Sequence, residues 1–161
     1  MVAGLHRNRR GDLFVESLFV VPLLLMLFIF IVEMGFLMYN WAVLNFYTGS
    51  SAVTAAARGR FSDEIRIRLA QNINDWTING RGYSYDVTGT DLPGTLAGST
   101  VYIYGSDRST PIQRGSYLNV SVNYPWRFKF FLVDGAARFI VSEGAFRLKV
   151  NASVPSEVFI E

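Results

Sequence analysis

The sequence predicts an α+β chain: a long N-terminal transmembrane helix followed by a small antiparallel β-sheet domain packed on an amphipathic helix. Three features carry this. Residues 18–32 form an unbroken run of fifteen apolar residues. Apolar residues then recur at helical spacing after residue 60, and polar and apolar residues alternate strictly in the second half.

The apolar run sets the length of the anchor. Glu16 and Glu33 bracket sixteen uncharged residues, which as a helix span roughly 24 Å. A hydrocarbon core is about 30 Å thick, so Leu13, Phe14, Val15, Met34, Phe36 and Leu37 complete the crossing. Both glutamates then lie near the ends of the span, where a charge is least costly. Glu33 reads equally as an interfacial residue reaching water or as an assembly contact. Pro22 lies inside the helix and is expected to kink it, with neighbouring subunits able to satisfy the freed carbonyl. Tyr39 and Trp41 suit the far interface.

Charge sets the orientation. Arg7, Arg9 and Arg10 precede the span, and the next basic residue after it is Arg58. The positive-inside rule therefore places the N-terminus in the cytoplasm and the rest of the chain outside. Without residues 1–11, twelve basic residues face thirteen acidic ones. No basic stripe remains for a phosphate backbone, so nucleic acid is not an expected partner. The chain divides into a basic leader (1–11), a transmembrane and extended helix (12–58) and an exposed α+β domain (59–161).

Beyond the span, residues 40–58 contain no proline, and the alanines at 55–57 favour helix. Gly49, Ser50 and Ser51 weaken the middle and allow a break there. Ser62 is a reasonable N-cap for a second helix, with Asp63 and Glu64 in its first turn. Phe61, Ile65, Leu69, Ile73 and Trp76 define its apolar face. After Gly80 the period switches to two. Tyr83, Tyr85 and Val87 alternate with polar positions, and residues 101–104 form a short β-branched and aromatic run. Leu118, Val120, Val122 and Tyr124 make one alternating strand; Phe146, Leu148, Val150, Ala152 and Val154 make another. Residues 89–100 and 105–115 read as loops.

Chemistry is sparse. There is no cysteine, and His6 is the only histidine, so thiolate sites and His-based triads are not expected in the exposed domain. Asp86, Asp91 and Asp107 fall in or beside loops as solvated turn residues. Gly80-Arg81-Gly82 reads as a turn. No enzyme activity, cofactor or metal is expected. The tyrosines at 83, 85, 102, 104, 117 and 124 fit packing within the sheet better than a binding surface.

These residues resemble a family, the TadE-like minor pilins (pseudopilins) of tight-adherence pili, relatives of type IV pilins. The leader ends Arg9-Arg10-Gly11, and Val15-Glu16 follows, with Glu16 fifth after the glycine. Pro22 sits near the start of the apolar run, which closes with Glu33-Met34-Gly35. Ala55-Ala56-Ala57-Arg58 is similar to the family's extension, and residues 118–125 to its strand closed by an aromatic-proline pair. Asp12 departs from the pattern, standing where such precursors carry a small or apolar residue.

The resemblance implies cleavage after Gly11 by a membrane prepilin peptidase, exposing an amine at Asp12 to which Glu16 offers a carboxylate. It implies a structural subunit in the bacterial inner membrane, with other pilin subunits and the inner-membrane assembly platform as partners, acting in pilus assembly, initiation and adhesion. An unprocessed single-span component of a secretion apparatus and a membrane-tethered ligand-binding domain remain alternatives. An ordinary signal peptide fits less well, because no A-x-A-like site closely follows Val32.

Overall fold

A computed structural model describes residues 9–107, 109–130, 135 and 146–159. Helix α1 (Arg9–Arg58) contains 50 residues and Pro22, a length of roughly 75 Å. Gly49, Ser50 and Ser51 lie within the helix, without the break that their composition allows.

Its end has a clear cause. Gly59 adopts φ 67°, a left-handed conformation open to glycine at little cost. The Gly59 amide donates to the Ala56 carbonyl at 3.2 Å and the Arg60 amide to the Ala55 carbonyl at 3.1 Å. This paired arrangement is the Schellman stop, and it turns the chain back along α1, so that Ile78 meets Asn40.

Helix α2 (Asp63–Trp76) starts at Ser62, but the Ser62 hydroxyl makes no capping bond and is buried without a partner. The Ser62 carbonyl instead accepts the amides of Ile65 and Arg66, both at 3.1 Å. Phe61, Ile65, Leu69 and Ile73 are buried as the repeat predicts. Trp76 is not; it is 57% exposed at the last turn. Gly80–Gly82 forms a single 3-10 turn, where a Cβ on Gly80 would lie 2.5 Å from the Asn74 carbonyl oxygen.

Four strands follow: β1 (Ser84–Asp86), β2 (Thr100–Gly105), β3 (Tyr117–Pro125) and β4 (Arg147–Pro155). They form one sheet in the order β1-β2-β3-β4. Pairing is antiparallel between β2 and β3 and between β3 and β4. β1 and β2 run parallel, so the sheet is mixed rather than wholly antiparallel. Residues 87–99 supply the crossover that a parallel pair needs.

β4 alternates buried and wetted positions as its sequence does. β3 departs from that pattern, because both of its faces are covered from Val120 onward. Its buried polar side chains are satisfied across the ladder: Ser121 bonds Asn151 at 3.1 Å, and Arg147 donates to Asn123. One core joins α1 (Leu44, Ala52, Ala55), α2 (Ile65, Leu69, Ile73) and the strands (Val101, Ile103, Leu118, Val120, Val122, Leu148). Both β3 and β4 lie against α1, and α2 packs on α1 as well.

Candidate functional site

Helix α1 has two regimes, and the boundary between them is Glu33. Below it, residues 15–31 are exposed apart from Ile29. Among the described residues, α1 is the one helix long and apolar enough to cross a membrane, and its most apolar eighteen-residue stretch is entirely unburied. Above it, one face of α1 carries the domain.

Three polar residues on that face tie the domain down. Glu33 is 1% exposed, and its carboxylate accepts the backbone amides of Lys129 at 2.7 Å and Phe130 at 3.3 Å. Asn40 is fully buried; its Oδ1 accepts the Ile78 amide at 2.9 Å and its Nδ2 donates to the Phe36 carbonyl. The Tyr39 hydroxyl donates to the Trp76 carbonyl at 3.2 Å. Phe36 stacks on Phe130 with centroids 6.4 Å apart. Because each tie accepts or donates to main chain, it fixes loop position whatever side chains those loops carry.

These ties also give the domain a polarity. Ile78 and residues 126–130 meet α1 near Glu33 and Asn40, whereas the Glu157 amide donates to Ala56 and the Ile112 amide to Gly59. The α2–β1 connection and the segment after β3 therefore form the base, and the β2–β3 loop forms the far end.

The opposite face of α1 is different. Met34, Met38, Trp41, Phe46 and Val53 are exposed large apolar residues. Residues 34–57 contain no charge at all. A solvated helix face carries charged and polar residues; here Asn45, Ser50 and Thr54 are exposed polar residues among the apolar ones, and none is charged.

The residues singled out from the sequence fall at separate places. Glu33 is built into the domain contact. Glu16 is exposed on α1, seventeen positions earlier, or roughly 25 Å away. Pro22 lies in the apolar stretch between them. Arg9, Arg10, Gly11 and Asp12 occupy the start of α1, so the Gly11–Asp12 bond lies in helical backbone. Arg7 is outside the described residues. No group of three or more His, Cys, Asp or Glu able to hold a metal is found among the described residues. No family model matches the chain, and no curated protein or solved structure is similar to it.

The tyrosines of the core cluster beside the base. Tyr83 meets Tyr124 edge-on at 5.3 Å, and the Tyr124 hydroxyl donates to the Thr77 hydroxyl at 3.1 Å. Burial pushes the Tyr124 phenol up to about 12, against a smaller pull from the Thr77 bond. Burial also raises Tyr85, with Tyr124 and Tyr83 adding to it, and raises Tyr83. A phenol held protonated in the fold ionises more easily when unfolded. The stabilisation is thus complete below about pH 10 and lost as pH rises toward 12. For Tyr124 the loss at the top of that window is about 2 kcal/mol. Urea unfolding at about pH 8 and about pH 11 is expected to show a marked loss in the native chain and a smaller one in Tyr124→Phe. Equal losses would remove Tyr124 as its source.

Proposed function

We propose that this chain is a pilin-like structural subunit of the TadE-like, minor-pilin kind. It is held in the bacterial inner membrane by α1, with its domain outside, and acts in assembly or initiation of a tight-adherence pilus. The observation that carries this reading is the outer face of α1 beyond Glu33. A plain anchor needs apolar surface only inside the bilayer. Here Met38, Trp41, Phe46 and Val53 continue it past the exit, on the side away from the domain, as a helix does when it packs against other helices along their length. The other partners follow from the resemblance: a prepilin peptidase acting after Gly11, and an inner-membrane assembly platform.

The test is a paired one. Phe46→Lys with Val53→Glu is expected to leave membrane insertion and the domain's unfolding midpoint unchanged, and to lower recovery of other pilin components in pull-downs at least tenfold. Glu16→Leu is expected to lower recovery and pilus number too while leaving cleavage intact, because its carboxylate pairs with the amine exposed at Asp12. Mature protein is expected to begin at Asp12, and protease added to spheroplasts is expected to digest the chain after Arg58. Unchanged partner recovery with both variants, together with a chain that still begins at Met1, would instead favour an unprocessed single-span anchor.

A further inference from the structure

We propose that the base of the domain is a docking surface for anionic phospholipid headgroups of the leaflet from which α1 emerges, with Arg81, Arg127 and Lys129 taking the phosphates. The inference rests on the membrane-anchored reading of α1 and goes beyond it, since an anchor alone needs no contact between domain and lipid.

Depth is the first argument. The carboxylate of Glu33 holds the amides of Lys129 and Phe130 at the point where the exposed apolar stretch ends. Asn40, which holds Ile78, is seven residues farther along, about 10 Å by helical rise. The headgroup layer beyond a hydrocarbon core is roughly 5–8 Å thick. The segment held at Glu33 therefore lies at headgroup depth, and the one held at Asn40 lies at the outer edge of that layer.

What hangs there is a cleft of about 450 Å³ lined by Asp75, Asn79, Arg81, Gly82 and Lys129 among others. Arg81 and Lys129 are exposed. Arg127 is exposed as well, its guanidinium 6.0 Å above the Tyr83 ring and its carbonyl accepting from Asn79 at 3.2 Å. Arg81 and Lys129 thus line the cleft with one acid, Asp75, and Arg127 flanks it through Asn79; the second acid of the base, Glu33, is buried against the amides of Lys129 and Phe130. Of the aromatics beside them, Trp126 is buried, Phe128 and Phe130 are half-buried, and Phe146 is exposed. Aromatic rings with long cations next to a span are the composition of a membrane interface. Alternation along residues 126–130 explains how one segment supplies both, since Trp126, Phe128 and Phe130 turn toward the protein while Arg127 and Lys129 turn out.

The chain is free of cysteine, and a Cβ on Gly82 would meet nothing within 4 Å. Gly82→Cys carrying a polarity-sensitive fluorophore therefore reports from inside the cleft, and Thr110→Cys reports from the far end. The full chain is reconstituted into vesicles of phosphatidylcholine, with or without phosphatidylglycerol, each doped with headgroup-spin-labelled lipid. Quenching at position 82 is expected to be stronger with phosphatidylglycerol and to weaken with added salt, while position 110 stays unchanged. A basic residue at an anionic surface favours the seated state about fivefold. Arg127→Glu with Lys129→Glu is thus expected to reduce the ratio of seated to unseated domain at least twenty-fivefold, and the milder Arg127→Gln with Lys129→Gln to fall between. Equal quenching in both vesicles and in the charge-reversed variant would overturn the proposal. So would quenching that tracks protein density rather than lipid charge, which would assign the base to a second copy of the chain. Failure of the unlabelled chain to float with phosphatidylcholine vesicles would overturn the anchored reading itself, a result distinct from a loss of lipid selectivity.

Discussion

Arg66→Leu is expected to remove about 3–5 kcal/mol of stability, because several buried carbonyls lose their donor at about 1–3 kcal/mol each, a large share of the roughly 5–15 kcal/mol that holds an ordinary domain together. Arg66 is fully buried, and its guanidinium binds main chain in three places at once. Nε donates to the Phe61 carbonyl at 3.0 Å. Nη1 donates to the carbonyls of Val87 at 3.0 Å and Gly89 at 2.7 Å. Nη2 donates to Ser106 at 2.9 Å and more weakly to Gly105 at 3.4 Å. The guanidinium carbon lies 4.3 Å from the Phe61 ring centroid.

One planar fork therefore fastens the start of α2, the segment after β1 and the end of β2. Leucine fills much of the volume but leaves those carbonyls facing an apolar group, each a desolvated acceptor without a donor. Lysine keeps the charge yet offers only a compact ammonium, which cannot reach carbonyls spread around a plane. Arg66→Lys is thus expected to lose at least half as much as Arg66→Leu. Urea unfolding of the full chain in detergent, followed by tryptophan fluorescence, measures both. A leucine variant within about 1 kcal/mol of the native chain would show that the carbonyls find water or other donors.

Arg66 also marks a limit of reading this sequence. Its neighbours Ile65, Leu69 and Ile73 were legible because a helical repeat states which residues share a face. Arg66, seven residues before Ile73, lies on the flank of that same face, but the repeat gives no reason for an arginine to be buried there. Four of its five acceptors lie 21 to 40 residues away on strands and loops, and no local pattern encodes them. β3 and β4 were legible by alternation, whereas the parallel direction of β1 was not, because direction depends on where residues 87–99 cross. Trp76 fits the apolar repeat on paper but falls at the last turn, where α1 holds its carbonyl through Tyr39 and leaves its side chain exposed. At the other end of the scale, the composition of α1 fixes its character over residues 17–32 with no tertiary information at all. The uncharged stretch from 34 to 57 was visible in the sequence too. Its meaning required knowing which face the domain covers.

Glu33 is the residue for which sequence and structure together yield the sharpest test. Near the end of an apolar span, a glutamate can simply reach water, and replacing it by leucine would then be neutral or would favour insertion. The structure gives it different work, with its carboxylate accepting the Lys129 amide at 2.7 Å and the Phe130 amide at 3.3 Å, 96 and 97 residues on. Glu33→Leu leaves both amides without their acceptor, at about 1–3 kcal/mol each for groups shielded from water. Glu33→Gln keeps one carbonyl oxygen but turns an NH2 group toward the second amide, so it should lose only part of the protection. The effect should be local, since residues 126–130 can lift from α1 while the sheet stays paired. Hydrogen exchange on the full chain in lipid nanodiscs reads it directly. The Lys129 and Phe130 amides are expected to exchange between about tenfold and about a hundredfold faster in Glu33→Leu, with β3 unchanged, and Glu33→Gln is expected to lie between that variant and the native chain. Unaltered protection at 129 and 130 in the leucine variant would mean that the segment is held by Phe36 and Phe130 stacking alone, and that the glutamate serves the membrane exit or a neighbouring subunit instead.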